Sequence, residues 1–294
     1  MNASNEAGAL AESILAYAHS LEQQRDLEIS VHPFFSGSDG GFRALLPINL
    51  HTNGYCLFIK TNPDAWARCI RRQRTVLEAV RNAGGPLVGE CYCGVREIVF
   101  PLNTLKGETR GFVCISGYRG GNPERRAQAL VRRYGYGPED LRCAREKLRE
   151  DMPDLPSVQA LIVPLLSMCK ELFHLLAAEL ADAPPDDPRT LYARMLDYIG
   201  RNYSGRLSLA EVAKAFYCSE STVSHLFKRN SGYNFSRYVN RIRVDTAKHF
   251  LRNSEVSIHE LAAYVGIQEP NYFYTVFKRE TGLSPSEYRK RIRG

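Results

Sequence analysis

Two stretches of the chain, residues 208–232 and 257–282, repeat one pattern of capping, apolar and basic residues. Each opens with Ser-x-x-Glu, a capping box that starts a helix. Each continues through a short apolar stripe and a break into a second helix that ends in Lys-Arg, followed by glycine. The copies are offset by 49 residues at the opening serine and by 50 at Phe227 and Phe277, so the second copy has one extra residue in its turn. The repetition predicts two copies of one small structure.

The second helix of each copy has an apolar face, which leaves a polar face for a partner. A short helix, a tight turn and a second helix with a polar outward face form a helix-turn-helix, whose second helix enters the DNA major groove. A single copy could equally be a helical hairpin, but two basic copies in tandem favour DNA binding. The residues expected to reach base edges are Ser221, Ser224, His225, Asn271, Tyr274 and Thr275. Asn271 can pair bidentately with adenine.

Basic residues follow or flank these polar faces. We expect them to contact DNA phosphates and to set affinity and salt dependence more than sequence preference. They are Lys228, Arg229, Arg241, Lys278 and Arg279. A long helix over residues 234–253 separates the copies, and a further capping box at Ser284 with Pro285 starts a last short helix.

This C-terminal region resembles the DNA-binding domain of the AraC/XylS transcriptional regulators over residues 190–294. The residues that carry the resemblance are Leu226-Phe227-Lys228, Arg243 with Ala247, residues 258–266, Tyr272-Phe273, Phe277-Lys278, Gly282, Pro285 and Tyr288-Arg289. The resemblance implies an all-α domain that places two recognition helices in successive major grooves of an operator, with RNA polymerase as a further partner.

The charge of the chain is concentrated in the same region. Residues 190–294 carry 17 Lys and Arg against 9 Asp and Glu, whereas the residues before them carry 22 against 23. A basic excess that is confined to one domain is typical of a domain that binds a polyanionic partner. The near-neutral first part therefore disfavours a purely architectural DNA protein.

The first part of the chain predicts an α+β domain with an antiparallel sheet, the shape of a small PAS-like sensor. An amphipathic helix comes first, and a segment with strand character follows at residues 27–35. The pattern Asn62-Pro63 starts a helix that ends at Gly84. Further strands are expected at 86–91, 95–102 and 111–116, and helices at 123–134, 138–149 and 157–180.

Four cysteines fall in this predicted core: Cys56, Cys69, Cys91 and Cys93. Four thiols could hold zinc or an iron–sulfur cluster, which would make the protein a metal or redox sensor. The spacing includes one Cys-x-Cys and no second close pair. Buried cysteines that act as small apolar residues in a pocket are the alternative. We expect Cys91 and Cys93 to lie on one face of a strand.

A second resemblance, to the PocR-type sensory domain of bacterial regulators, covers residues 10–180. It rests on residues 55–60, Asn62-Pro63, Cys69, Cys91-Tyr92-Cys93-Gly94 and residues 98–102. Family members usually have His where Tyr92 stands, so a ligand or metal role at that position does not transfer directly. The resemblance implies a small organic effector, for which the candidate contacts are Cys56, Trp66, Cys69, Cys91, Tyr92 and Cys93.

A proline-rich polar stretch divides the chain into a sensor at 1–181, a linker at 182–189 and a DNA-binding domain at 190–294. The helix before the linker has an apolar heptad pattern, which is formed by Ile162, Leu165, Cys169, Leu172 and Leu176. The pattern is compatible with homodimerisation and with packing on its own domain. Pro164 is expected to kink or restart this helix.

The sequence thus predicts a transcriptional regulator that responds to a small-molecule effector. A regulator whose thiols become alkylated is another open alternative. An enzyme is not expected, because no phosphate-binding glycine loop or catalytic triad spacing is present. We expect a cytoplasmic protein without a membrane partner, since no signal sequence and no run of roughly 20 apolar residues is evident.

Overall fold

The computed structural model describes residues 3–34, 45, 48–178, 188–253 and 256–293. It divides into two compact units. The N-terminal unit contains the described residues 8–34 and 48–174, and the C-terminal unit contains those from 175 onward together with residues 3–7 and 45. Most of the predicted linker, together with Phe35 at the end of the first predicted strand segment, lies outside the described residues. The predicted domain boundaries stay predictions.

The N-terminal unit is α+β, as predicted. Its helices are α1 (Ala3–Arg25), α2 (Gly54–Lys60), α3 (Pro63–Ala83), α4 (Pro123–Tyr134), α5 (Pro138–Arg145) and α6 (Leu155–Ala178), the last of which runs past the unit's end. Its strands are β1 (Ile29–Pro33), β2 (Leu87–Glu90), β3 (Val95–Asn103) and β4 (Thr109–Arg119).

The four described strands form one antiparallel sheet in the order β1-β4-β3-β2. Val31 pairs with Val113 across β1 and β4, and Val99 pairs with Cys114 across β3 and β4. The two central strands are buried almost throughout. Helix α3 packs on them, with Val80 buried against Val99 and Cys114.

Local signals in the sequence set the ends of α3. The Asn62 side chain accepts hydrogen bonds from the backbone N–H groups of Asp64 and Ala65, and Pro63 occupies the first turn. Gly84 ends the helix in the left-handed region, at a φ of 66°, where glycine has no steric penalty. Because these signals are local, the sequence predicted this helix correctly.

Helix α6 differs from part of one expectation and from a second. It does not restart at Pro164 but continues through it, and the expected kink stays a prediction. Because Ala160 and Pro164 are both exposed, water can solvate the carbonyl that the proline leaves without a donor. The stretch Leu155–Leu176 is also long and apolar enough to cross a membrane, so the expectation that no stretch reaches this length was wrong. One such helix is weak evidence for a membrane, because core helices of globular proteins meet the same criteria.

The heptad stripe of α6 is buried within the chain. Its five residues, from Ile162 to Leu176, are at most 2% exposed. Tyr17 of α1 donates a hydrogen bond to the carbonyl of Leu161, at 3.1 Å. The stripe is therefore occupied by intramolecular packing and is not free to form the seam of a dimer.

The C-terminal unit is all-α in its described part. Its helices are α7 (Pro188–Asn202), α8 (Leu209–Ala215), α9 (Glu220–Ser231), α10 (Phe235–Asn253), α11 (Ile258–Tyr264), α12 (Pro270–Thr281) and α13 (Pro285–Arg293). We call α8 with α9 the first repeat and α11 with α12 the second repeat. Both capping boxes are present, at Ser208 with Glu211 and at Ser257 with Glu260.

Aromatic side chains form the core of each repeat. Phe227 lies at the centre of the first, and its ring is 5.0 Å from that of Tyr192, 5.4 Å from Phe235 and 5.1 Å from Tyr238. Phe277 has the equivalent position in the second and contacts Tyr288. The long helix α10 contacts helices of both repeats. The two-fold repetition in the sequence is therefore a two-fold repetition of packing.

Candidate functional site

The outward faces of α9 and α12 carry the predicted base-reading residues. Five of the six are exposed, and Ser224 is half-buried. Val223, Leu226 and Phe227, on the opposite face of α9, are buried, as are the equivalent residues of α12. The polar atoms of these outward faces are thus available to a partner, while the apolar faces fix the orientation of both helices.

The turns that lead into α9 and α12 have one geometry and differ in one residue. Each closes with two hydrogen bonds of a Schellman motif, one of them from Cys218 N–H to Ala213 O at 3.0 Å and, in the second repeat, from Ile267 N–H to Ala262 O at 2.8 Å. The left-handed position of this motif is held by Gly266 in the second repeat and by Tyr217 in the first, at a φ of 52°. Tyr217 is 98% exposed.

Four of the five predicted phosphate-binding residues, Lys228, Arg229, Lys278 and Arg279, are exposed. Arg241 is half-buried and has intramolecular partners instead. Its guanidinium lies over the ring of Tyr233, at 4.2 Å, and 3.8 Å from the carboxylate of Glu280. Arg241 therefore helps to hold α10 against α12, and its phosphate contact stays a prediction.

A cavity in the N-terminal unit lies between the sheet, α2 and α3. Its empty volume is about 770 Å³, counting the solvent at its mouth. All six residues that were predicted to contact an effector line its wall: Cys56, Trp66, Cys69, Cys91, Tyr92 and Cys93. We call it the sensor cavity. Its size suits a small organic molecule.

The segment 91–94 is a turn between β2 and β3, so the expectation that Cys91 and Cys93 occupy alternate positions of a strand was wrong. The strand ends at Glu90 because the chain reverses, with Gly94 N–H donating to Cys91 O at 3.0 Å and Gly94 at a φ of 82°. Tyr55 donates to the carbonyl of Cys93, and Tyr92 donates to the carbonyl of Ala65. These bonds hold the turn against α2 and α3, so both cysteines still face the cavity.

The cysteines of the cavity differ in acidity. A hydrogen bond with the Cys93 thiol lowers the pKa of Cys69 to about 6, and the hydroxyl of Tyr92 lies 3.3 Å from the Cys69 sulfur. Burial raises the pKa of Cys56 and of Cys93 well above the usual range. Cys69 is thus the most acidic of these three thiols.

Seven further polar residues line the cavity that were not predicted from the sequence: His32, His51, Lys60, Arg72, Gln73, Glu97 and Cys114. One signal existed, because Glu97 is a charged residue in a mostly apolar strand, and such charges need a partner when buried. Lys60 donates a hydrogen bond to the carbonyl of His51, and its ammonium lies 4.8 Å from the centre of the Trp66 ring. Burial lowers the pKa of Lys60.

Three of these residues have their metal-binding atoms close together. The ligand atoms of His51, Glu97 and Cys114 all lie within 4.8 Å of one another. Among the described residues, which include Cys56, Cys69, Cys91 and Cys93, no three of these four cysteines have their sulfur atoms as close together.

Family comparisons match both units. A model described as "Helix-turn-helix domain" matches residues 212–291, and one described as "Sensory domain found in PocR" matches residues 46–160. The chain carries an AraC-type helix-turn-helix domain and a PocR sensory domain. The match to the PocR domain contains all six residues that were predicted to contact an effector, and the match to the helix-turn-helix domain contains α9 and α12.

Curated relatives share these domains. The uncharacterized HTH-type transcriptional regulator YijO of Escherichia coli is 33% identical over 134 residues, which are 46% of either chain. The regulatory protein PocR of Salmonella typhimurium is 26% identical over 250 residues, or 81% of this chain and 82% of that protein. The transcriptional activator RhaR of E. coli is 28% identical over 106 residues. The chain spans about half the length of YijO and of a second E. coli regulator, YpdC.

Solved structures match the AraC-type domain. A protein of unknown function from Listeria innocua aligns with 33% of this chain and 93% of its own, at 33% identity and a TM-score of 0.33. The DNA-binding domain of AdpA, in complex with a target DNA, aligns with 35% of this chain and 92% of its own, at 24% identity and a TM-score of 0.34.

Proposed function

We propose that the protein is a transcriptional regulator that binds an operator through α9 and α12 and responds to a small molecule bound in the sensor cavity. The observation that carries the proposal is the pair of helices α9 and α12 with exposed polar faces, each ending in an exposed Lys-Arg pair. The combination with a PocR sensory domain supports a ligand-dependent response. RNA polymerase is a further expected partner, and homodimerisation stays open.

The proposed DNA contacts divide into two classes. Asn271 and His225 lie exposed on the outward faces and have the donors and acceptors that read base edges in the major groove. Lys228 follows His225 by about one turn and Lys278 follows Asn271 by about two. We expect both lysines to contact the DNA backbone, which contributes affinity but no direct sequence information.

The test compares one residue of each class in the full-length protein. Asn271→Ala is expected to cost roughly 1–3 kcal/mol on the operator and nothing on random DNA, because it removes a base contact. Lys228→Ala is expected to weaken both and to reduce the slope of affinity against salt by about one unit, because it removes a phosphate contact. Binding is measured by fluorescence anisotropy on both DNAs over a salt series.

If Asn271→Ala lowers the affinity for operator and random DNA equally, Asn271 does not read a base. Lys290→Ala serves as a matched control, since it removes an exposed cation from α13, outside both recognition helices. A control loss as large as that of Lys228→Ala would show general charge attraction rather than a defined contact.

The effector is proposed to be a small organic molecule with a polar group. Aromatic and apolar side chains such as Trp66, Tyr92 and Ile59 form one part of the cavity wall. Lys60 and Glu97 offer a donor and a carboxyl group to the polar end. This mixture is typical of sites for small organic ligands.

A second candidate is a sensor of oxidants or alkylating agents through Cys69. The low pKa of this thiol, about 6, favours the reactive thiolate, and Cys93 lies beside it as a second thiol. Mass spectrometry after brief treatment with iodoacetamide at pH 7 would then find Cys69 modified before the exposed Cys143. Faster modification of Cys143 would exclude this candidate.

A further inference from the structure

Three separate segments bring a histidine, a carboxylate and a thiol to one point of the sensor cavity. His51 precedes α2, Glu97 lies on β3 and Cys114 lies on β4. Their ligand atoms are mutually within 4.8 Å. The thiol of Cys114 donates a hydrogen bond to a carboxylate oxygen of Glu97, at 3.5 Å. Nitrogen, oxygen and sulfur donors therefore converge.

These groups are costly to bury as they stand. Glu97 is 7% exposed and Cys114 is 1% exposed. Nε2 of His51 is buried and has no hydrogen-bond partner among the residues that the structure describes. A buried carboxyl group and an unpaired imidazole nitrogen each cost free energy unless a partner satisfies them. One bound cation would satisfy all three groups at once.

We propose that His51, Glu97 and Cys114 form a binding site for a divalent transition metal ion, with Zn²⁺ as the preferred probe. Zn²⁺ takes imidazole, carboxylate and thiolate ligands, whereas Mg²⁺ and Ca²⁺ prefer oxygen ligands alone. A glutamate carboxylate and a cysteine thiolate together balance the charge of the ion. Three protein ligands leave a fourth position for water or for an effector atom in the cavity.

The site also has cationic neighbours, which oppose a bound cation. Lys60 donates a hydrogen bond to the carbonyl of His51. Arg72 lines the same cavity and acts on the carboxyl group of Glu97. The negative charge of a glutamate carboxylate and a cysteine thiolate has to outweigh these two cations for the ion to bind.

The proposed site differs from a four-cysteine site and goes beyond the proposed function. It uses none of Cys56, Cys69, Cys91 and Cys93. It also needs no operator and no organic effector, so it can be tested with metal alone. The two metal hypotheses predict opposite effects of the same cysteine substitutions, which makes them separable.

The experiment titrates the full-length, metal-free, reduced protein with Co²⁺ and Zn²⁺. Native mass spectrometry gives the stoichiometry, and absorption of the Co²⁺ complex reports thiolate ligation. Trp66 is the only tryptophan and lines the cavity, so its fluorescence reports binding nearby. We expect one bound ion, a thiolate-to-cobalt band and quenching of Trp66 by Co²⁺.

Cys114→Ser and His51→Gln are expected to weaken Zn²⁺ binding by about 100-fold or more, since even changes to outer partners of metal ligands cost 10–100-fold. Two control variants should leave the Zn²⁺ affinity and the thiolate-to-cobalt band unchanged. Cys91→Ser removes another thiol of the cavity, and Cys169→Ser removes a buried thiol of α6. Glu97→Gln keeps the size of the side chain and serves where Cys114→Ser fails to fold, as judged by circular dichroism.

Three results would overturn the site: no stoichiometric metal in the wild type, a thiolate band that survives in Cys114→Ser, or a band lost in Cys91→Ser. The last would favour the four-cysteine set. Operator binding of the same metal-free variants is measured in parallel. Intact operator binding without any metal binding would refute this site and leave the proposed DNA-binding function standing.

Discussion

Tyr217 has a left-handed backbone conformation, and the equivalent position in the second repeat is occupied by a glycine, Gly266. Non-glycine residues in the left-handed region carry a cost of about 1 kcal/mol. Its ring is almost fully exposed, so no intramolecular packing offsets that cost. Residues in such conformations concentrate at functional sites, and Tyr217 lies in the turn that leads into the first recognition helix.

Tyr217→Gly is expected to stabilise the protein by up to about 1 kcal/mol, because it removes the left-handed strain at the end of α8. Chemical denaturation would measure the change. Loss of operator affinity in the same variant would indicate that the exposed ring contacts DNA. A destabilised variant would contradict the strain argument.

The matched substitution Gly266→Ala should have the opposite effect and destabilise the protein. An added Cβ would lie 2.7 Å from the carbonyl oxygen of Tyr203 and 2.8 Å from the backbone of Ser204. Both obstacles are backbone atoms, so we expect a loss of about 2 kcal/mol or more.

Glu22 gives the stability of the N-terminal unit a defined pH dependence. Burial raises the pKa of its carboxyl group from 4.5 to about 7, although the carboxyl group accepts a hydrogen bond from Ile29 N–H. The folded state therefore binds this proton up to about pH 7, while the unfolded state releases it near pH 4.5. The contribution of Glu22 to the free energy of unfolding falls as pH rises between these values.

Glu22→Gln keeps an oxygen acceptor for Ile29 and cannot ionise. The variant should gain stability relative to the wild type as pH rises from 4.5 to about 7, by up to roughly 3 kcal/mol. Thermal unfolding of both proteins over this pH range gives the difference. A constant difference across the range would show that Glu22 is not buried as a neutral acid.

At the scale of elements, one carboxylate holds α12 against α10. Glu280 lies 3.4 Å from the guanidinium of Arg237, 3.8 Å from that of Arg241 and 3.1 Å from that of Arg279, and its side chain is 9% exposed. Removal of one buried partner leaves several like charges together, which is more costly than loss of an exposed ion pair.

Glu280→Gln should therefore lower the thermal stability of the C-terminal unit and raise affinity for random DNA, because the arginines become available to phosphates. Affinity is measured at several salt concentrations, and Glu269→Gln is the control, since Glu269 is exposed beside α12. Unchanged binding to random DNA would show that these arginines lie away from the DNA.

At the scale of the whole molecule, the response to an effector requires both domains. A segment of residues 190–294 is expected to bind the operator and to leave its reporter unaffected by an inducer, whereas the full chain responds. Trp66 fluorescence of the full chain should change with the same inducer. An inducer response of the segment alone would refute sensing by the N-terminal domain.

Most of the fold was predictable because its signals are local. Capping serines, prolines in first turns and glycines at helix ends each act within a few residues, and they predicted α3, both capping boxes and the two repeats. Helix α5 ends at Arg145, short of the expected 149, because helix ends depend on tertiary contacts as well as on sequence pattern. The turn at 91–94 was taken for part of a strand, since a Cys-x-Cys pattern does not reveal where a strand ends.

The sequence by itself determined the repeated helix-turn-helix pattern, the charge that accompanies it and six side chains of the sensor cavity. Only the tertiary structure decided that His51, Glu97 and Cys114 meet, since they come from three segments with no common motif. Burial is the largest cause of the shifted pKa values of these three groups, and desolvation depends on every atom around a group. Capping, charge and apolar patterns depend on residues that are neighbours in the sequence, whereas proximity and desolvation arise when distant segments pack together.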